Sequence, residues 1–427
     1  MNGWAVVIAG GVVLGYGALS RRLSTTVLSG PLVFMLVGLA IGPLGLDLLD
    51  RVKDPEVTRT LLESALVLLL FADAAGIRSR DLRRQEFLPL RLLVVGLPVT
   101  MALGLLVAWL LLPGLSLWEL VLVAVILAPT DAALGQQAFS NKRVPPLVRG
   151  GLTIESGLND GLALPFFVLA LAAAGEGHDH PSVAGTFLRA LVLSSAIGIA
   201  AGWTGASLLR WSLARGWSSS DWRQFLVLAV PVIAYVLCAM VEGSGFIGAW
   251  VAGLAFGIRL RRTPTDLDIP AQDSDPAQGT RFTERLGLLL ASLGFLVFGA
   301  VILGPTLQHL NWRMALYALF SLTVIRMLPV ALALAGTGLR PASIAYIGWF
   351  GPRGLASLVF GLLALEEHLP GGSLLSDVVA VTVGLSILLH GASAPILGDR
   401  YGAWFTRTLR KEPNLRENAL AQDDGPH

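Results

Sequence analysis

Residues 153–160 read Thr-Ile-Glu-Ser-Gly-Leu-Asn-Asp. On a helix, Thr153, Ser156 and Asp160 stand at i, i+3 and i+7 and form one stripe of oxygens, with Glu155 and Asn159 on a parallel stripe. Hydroxyl, amide and carboxylate oxygens suit a hard cation such as Na⁺, and with no His or Cys in the stripe a transition metal is a poor fit. A carboxylate also takes a proton, so Asp160 is a group that can hold either ion. A second cluster, Ala128-Pro129-Thr130-Asp131, contains a helix breaker beside a hydroxyl and a carboxylate. Proline removes a backbone donor, and carbonyls released at such a break can coordinate an ion where they face a cavity. A third cluster, Gly351-Pro352-Arg353-Gly354, combines a strong breaker with a cation.

The elements that carry these residues belong to a membrane protein. Of 427 residues, 14% are charged and 54% hydrophobic, with 48 glycines besides. Soluble domains carry about 25% charged residues, and a chain this poor in them cannot cover a soluble surface. The composition excludes a cytoplasmic enzyme and a disordered chain, and a net charge of +2 excludes a nucleic-acid binder with a basic face. A lone cysteine, Cys238, excludes a disulfide framework and reads as a small buried apolar residue.

A transmembrane helix needs about 20 mainly apolar residues. Thirteen stretches qualify: 4–20, 26–46, 60–77, 89–112, 115–138, 150–174, 184–209, 222–241, 244–259, 284–306, 311–337, 342–365 and 372–395. The first has no positive charge before it and Arg21-Arg22 after it, the reverse of a signal peptide, so a retained helix is expected. Residues 260–283 read as one long loop, 400–427 as a short solvated tail, and Glu176-Gly-His178-Asp179-His180 as a solvated outer loop. With thirteen spans, 24 of the 31 Lys and Arg fall on one side and 5 on the other. The positive-inside rule then puts the C-terminus in the cytoplasm and the N-terminus outside.

The two remaining cations, Arg326 and Arg353, fall mid-span in the eleventh and twelfth stretches. A central arginine costs about 2.5–3.5 kcal/mol on insertion and needs an acid or backbone carbonyls beside it. Four acids also fall inside spans: Asp73 in the third, Asp131 in the fifth, Glu155 and Asp160 in the sixth. Glu63, Glu119, Glu242 and Asp377 sit near span ends and read as interfacial carboxylates. The deep acids outnumber the deep cations, which describes a site that holds a proton or a metal cation. Asp160 lies about 16 Å into its span, close to the midplane. The breaks at Pro129 and Pro352 lie seven spans apart, so their chain directions are opposed. Interrupted helices in opposed halves are the pattern of an inverted-repeat transporter.

Pro129-Thr130-Asp131, Glu155-Ser156-x-x-Asn159-Asp160, Arg326 and Gly351-x-Arg353-Gly354, in that order, resemble the NhaP/NHE-type monovalent cation/proton antiporters over nearly the whole chain. The resemblance implies an all-α polytopic fold of about 13 transmembrane helices, with inverted repeats and broken helices 5 and 12 that cross. It makes Asp160 the ion- and proton-carrying carboxylate, with Thr130 and Ser156 as further oxygens of a Na⁺ site. Glu155 would pair with Arg326, Asp131 would lie at the crossing and help neutralise helix ends there, and Arg353 would lie at the same crossing. Asp73 sits where some relatives place an acid near the ion path. Asn159, where other relatives carry a second aspartate, implies electroneutral exchange.

The resemblance also implies a homodimer in which a core (about 89–174 and 311–395) moves against interface helices (about 4–77 and 184–306), within a transmembrane domain over 1–399. The tail of 28 residues after Asp399 is too short for a large regulatory domain. No G-x-x-x-x-G-K-[ST] run is present, so ion gradients rather than ATP supply the energy. The expected partners are a monovalent cation (Na⁺, with K⁺ or Li⁺ as alternatives), the proton and membrane lipid, with no cofactor, no catalytic residue and no nucleic acid. The expected setting is the plasma (inner) membrane, in a pH-homeostasis role. Two other classes are open to such a chain. One is a cation channel, which has no need for a carboxylate that must be neutralised before moving. The other is an intramembrane aspartyl protease on Asp131 and Asp160, in which the arginines and hydroxyls have no role.

Overall fold

The computed structural model describes residues 3–23, 26–46, 55–77, 87–139, 141–175, 183–261, 277–412 and 414–418. The acidic and histidine-bearing segment 176–180 lies outside these residues, as does most of the 260–283 loop. Among the described residues the regular elements are helices, apart from an isolated bridge between Pro113 and Leu115. In chain order they are α1 (Gly3–Leu23), α2 (Gly30–Ile41), α3 (Pro55–Gly76), α4 (Phe87–Leu111), α5 (Leu117–Ile126), α6 (Ala132–Phe139), α7 (Pro146–Gly175) and α8 (Val183–Ala214). There follow α9 (Ser220–Met240), α10 (Gly245–Arg261), α11 (Gly279–Gln308), α12 (Trp312–Ala333), α13 (Pro341–Trp349), α14 (Leu355–Glu366) and α15 (Gly372–Lys411).

Seven of the described helices are long and apolar enough to cross a membrane: α4, α7, α8, α9, α11, α12 and α15. The shorter α2, α5 and α14 are apolar as well. The stretches 115–138 and 342–365 are not single helices. Each is a pair of short ones, α5 with α6 and α13 with α14, separated by non-helical segments at 127–131 and 350–354. Pro129 and Pro352 fall inside those segments, where a missing backbone donor does least harm.

Proline shapes other helices too. α4 widens into a π-helical stretch at Leu92–Gly96 just before Pro98, and α11 does the same at Phe298–Leu303 before Pro305. α12 breaks at Thr323 (φ −113°, ψ −90°), whose hydroxyl donates back to the Leu319 carbonyl. That break lies one turn before Arg326.

Contacts divide the chain into two compact units. The first comprises Met1–Arg59, Arg83–Asn159 and Ser292–His427; the second comprises Thr60–Leu82 and Asp160–Ala291. In the first unit, Leu88, Leu92, Val148, Val330, Ile347 and Phe350 belong to one apolar cluster that joins α4, α7, α12 and α13. α5 starts with a capping box: Ser116 accepts from the Glu119 N–H, and the Glu119 carboxylate accepts from the Ser116 N–H at 2.7 Å. The other Glu119 oxygen accepts from Gly371 N–H at 2.6 Å and ties α5 to the turn before α15. Expected at a membrane interface, Glu119 is instead buried in this double role.

The second unit is held by apolar burial and small residues. Phe71, Val227, Val230, Ala252 and Phe256 share one cluster. Gly202 of α8 lies so close to α10 that a Cβ there would overlap the Ala252 carbonyl. Close backbone approach of this kind maximises packing between helices in lipid, where the solvent gives no hydrophobic push. Cys238 is buried here, as its composition alone suggested.

Candidate functional site

The two non-helical segments of the first unit meet directly. Asp131 N–H donates to the Pro352 carbonyl at 2.8 Å, so each break supplies a partner for the backbone of the other. The break at 127–131 exposes the C-terminal carbonyls of α5 and the N-terminal amides of α6. The break at 350–354 exposes the corresponding ends of α13 and α14. Buried helix ends need partners of opposite charge.

Asp131 serves both N-termini. Its Oδ1 accepts from Ala133 N–H at 2.7 Å and Leu134 N–H at 3.2 Å, at the start of α6. Its Oδ2 accepts from Leu355 N–H at 2.8 Å, at the start of α14. Gly354 makes this reach possible, because a Cβ at that position would overlap the carboxylate. Arg353 serves the C-terminal end of α5. Its Nη1 donates to the carbonyls of Ala128 and Pro129 at 2.8 and 2.9 Å, and its side chain is fully buried. Ser357, in the first turn of α14, donates to the Ile126 carbonyl at 2.7 Å and completes the seal on α5. Both Asp131 oxygens are thus engaged by backbone amides at helix starts.

Glu155 and Arg326 form a bidentate pair. Nη1 donates to Oε1 at 2.6 Å and Nη2 to Oε2 at 2.9 Å, with both residues buried. The fork geometry is the strongest form of a carboxylate–guanidinium contact. Gly351 gives the guanidinium room, since a Cβ there would overlap Arg326 Nε.

Next to these charges lies a cluster of neutral oxygens. Asn159 Nδ2 donates to Thr130 Oγ1 at 2.6 Å, and Thr130 Oγ1 lies 3.0 Å from Ser156 Oγ. All three are about 1% exposed. Asn159 Oδ1 is buried without a hydrogen-bond partner. Thr153, expected on the same stripe, is exposed and turns its hydroxyl back to the Arg149 carbonyl at 3.0 Å. A threonine in mid-helix often satisfies itself this way. The cluster therefore joins α7 to the α5–α6 break instead of running along α7 alone.

Of the residues singled out by sequence, Thr130, Asp131, Glu155, Ser156, Asn159, Arg326 and Arg353 fall in the first unit. Asp160, the residue after Asn159 in α7, and Asp73, in α3, fall in the second, and both are half-buried. Sequence reasoning missed Ser357 and the second role of Glu119. A serine in an apolar run carries little signal. The Ser116-x-x-Glu119 spacing does mark a capping box.

A polytopic helical membrane protein with two interrupted, crossing helices and buried charges at their ends is a narrow structural class. The profile of the sodium/hydrogen exchanger transmembrane family matches residues 9–399, and the chain belongs to that family. It is 28% identical over 382 residues to the K(+)/H(+) antiporter NhaP of Alkalimonas amylolytica, covering 88% of this chain and 62% of that protein. To a Na(+)/H(+) antiporter of Saccharomyces cerevisiae it is 27% identical over 369 residues, covering 78% of this chain and 34% of the relative. The chain thus spans less than two thirds of the length of these relatives. The structure of the sodium proton antiporter MjNhaP1 from Methanocaldococcus jannaschii shares the fold, with a TM-score of 0.73 at 21% identity, covering 91% of this chain and 99% of that one.

Proposed function

We propose that this protein is a secondary antiporter that exchanges a monovalent cation for H⁺ across the plasma (inner) membrane. Na⁺ is the first candidate substrate, with K⁺ or Li⁺ as alternatives, and the names of the relatives leave room for both Na⁺ and K⁺. The observation that carries the reading is the buried trio of Thr130, Ser156 and Asn159, with the Asn159 amide oxygen lacking a donor. A buried acceptor without a partner is costly, and a cation is one way to satisfy it. The adjacent charges are already matched: Glu155 by Arg326, and Asp131 and Arg353 by helix ends.

In this reading Asp160 is the carboxylate for which the cation and the proton compete. The core (89–174 and 311–395) crosses only when Asp160 is neutralised, because a bare carboxylate facing an apolar gate is too costly to desolvate. The interface helices (4–77 and 184–306) hold the homodimer. Asp131 acts from the crossing as a double cap, and Asp73 is a second acid of the ion path. The C-terminus is cytoplasmic and the two halves are inverted repeats.

Asp160→Asn keeps the shape of the side chain and removes its titration. It should abolish Na⁺- or K⁺-driven proton flux in proteoliposomes while leaving the melting temperature near that of the parent. Retained flux would sink the assignment. Exchange should also be electroneutral, because Asn159 cannot ionise and one carboxylate carries one positive charge each way. With the membrane potential clamped by K⁺ and valinomycin and Na⁺ as substrate, initial rates should match at zero and about −100 mV. Each net charge moved would otherwise gain about 2.3 kcal/mol. Steep voltage dependence would overturn one-for-one exchange and implicate Asp73 as an additional carrier.

A further inference from the structure

Four helix ends meet at the crossing. Asp131 serves the starts of α6 and α14, and Arg353 serves the end of α5. The fourth end is the C-terminus of α13 at Trp349, whose carbonyl accepts from Gly351 N–H at 2.8 Å within the break itself. His390, on α15, adds a side-chain contact to that carbonyl from outside the break. Its ring is 1% exposed, with Nε2 2.9 Å from the Trp349 carbonyl oxygen. A carbonyl only accepts, and each ring nitrogen faces one: Nε2 the Trp349 carbonyl, and Nδ1 the Ser386 carbonyl at 3.0 Å, one turn back on α15. The other ring nitrogen, Nδ1, lies 3.2 Å from Ser386 Oγ. Ser386 is itself fully buried, and its Oγ accepts from Arg353 N–H at 2.7 Å. With the ring hydrogen on Nε2, Nδ1 accepts from the serine hydroxyl and one directed chain results: Arg353 N–H to Ser386 Oγ–H to His390 Nδ1, then His390 Nε2–H to the Trp349 carbonyl. The opposite tautomer would instead send Nδ1–H to the Ser386 carbonyl. The Trp349 indole packs on the imidazole at 5.3 Å between ring centres and donates to Ser393 Oγ at 2.9 Å, so α15 grips the end of α13 twice.

We infer that His390 is a positioning residue for the cation cluster: by holding the Trp349 carbonyl from α15 while Ser386, one turn earlier on α15, holds Arg353 N–H, it fixes the width of the α13–α14 break and hence where Arg353 places the carbonyls of the α5–α6 break. Those carbonyls, of Ala128 and Pro129, immediately precede Thr130, whose hydroxyl belongs to the buried oxygen trio. A rigid ring mounted on a 40-residue helix thus sets the register of a loop two contacts away. Supporting groups that orient a binding site commonly matter about as much as the ligands they orient.

The inference rests on the reading that the Thr130 trio binds the transported cation, and the test separates the two. Maximal rate, apparent KM for Na⁺ or K⁺ (whichever drives exchange) and melting temperature are measured for the full chain and for Thr130→Ala, His390→Gln, His390→Asn and His390→Phe. A glutamine amide nitrogen reaches where Nε2 stands, whereas asparagine reaches only Nδ1 and phenylalanine neither. His390→Asn and His390→Phe should raise the KM about threefold or more, and His390→Gln should stay within about twofold of the parent. A merely structural histidine would lower melting temperature and maximal rate with the KM unchanged. That outcome, in a set where Thr130→Ala does raise the KM, overturns the inference.

An unchanged KM in Thr130→Ala instead defeats the cation-site reading. The hydrogen-bond chain is then decided without transport, by nitrogen NMR on histidine-labelled protein with the His390 signal assigned from His390→Gln. A protonated Nε2 and a bare Nδ1 whose shift moves in Ser386→Ala support the chain. A protonated Nδ1, or no response to Ser386→Ala, refutes it.

Discussion

Arg326 and Arg353 belong to the same unit, and both are nearly inaccessible to solvent, yet their surroundings differ in kind. Arg326 meets a side chain, the fork of Glu155, across two hydrogen bonds. Arg353 meets backbone, the carbonyls that α5 leaves open, while its counter-charge Asp131 meets the amides of two other helix ends. The first arrangement is a self-contained pair of opposite charges. The second is a mutual closure of broken helices, in which each charge is matched to partial charges fixed in the main chain. A pair can be deleted as a unit. A closure cannot, because removing both charges still leaves the helix ends.

The largest expected effect tests that distinction. Glu155→Met or Arg326→Met alone should destabilise the protein by about 3–5 kcal/mol, since each leaves a buried charge without its partner. The double variant should recover most of the loss. Asp131→Ala and Arg353→Met should each be damaging as well, but their double variant should recover little, because the orphaned amides and carbonyls remain at about 1–3 kcal/mol each. The measurement is a pair of double-mutant cycles on melting of the purified protein. Equal coupling energies in the two cycles would erase the distinction.

The two regions also differed in how far the sequence revealed them. Charge counting found both arginines and the acids, and the order of motifs suggested that Glu155 faces Arg326. The breaks at Pro129 and Pro352 were visible from proline and glycine. What Arg353 touches was not visible, because main-chain carbonyls exist at every position and carry no residue-type signal. The same holds for Glu119 and Gly371, where the acid was read as interfacial although its cap spacing was in plain view. Helical spacing assigned Thr153 to the oxygen stripe. The structure turns Thr153 away, whereas Thr130, which the motif resemblance and not helical spacing put beside Ser156, lies 26 positions from it and is brought there by the break. Tertiary partners of helix ends are set by how segments cross, and no local pattern records a crossing.

The comparison sharpens at the two glycines, where an intermediate effect is expected. Gly351 makes room for the Arg326 guanidinium and Gly354 for the Asp131 carboxylate. Gly351→Ala and Gly354→Ala should each cost about 1–3 kcal/mol by overpacking. Each cost should fall when the crowded side chain is removed, in Arg326→Ala and Asp131→Gly backgrounds respectively, the glycine being needed because Asp131 Cβ itself lies 2.7 Å from where the new methyl would stand. Persistence of either cost in the shortened background would show that the glycine is needed for its own backbone and not for the charge beside it.

The smallest effect belongs to Ser357→Ala. The hydroxyl donates to the Ile126 carbonyl at 2.7 Å, and the residue is almost wholly buried. Its removal leaves one carbonyl of the α5 end without that donor, for a cost of about 1 kcal/mol. The guanidinium of Arg353 still holds two further carbonyls just beyond it, of Ala128 and Pro129. With the end of α5 held at two of three points, the melting temperature should drop by no more than about 2 °C. Exchange should change little, since the trio at Thr130 stays where the guanidinium puts it. In an Arg353→Met background the same substitution should cost more than it does alone, because the hydroxyl is then the remaining side-chain donor on that end of α5. Four melting curves decide the matter. If Ser357→Ala alone proves as harmful as Arg353→Met, the hydroxyl rather than the guanidinium anchors α5, and the closure of the broken helices depends on a neutral contact instead of a charge.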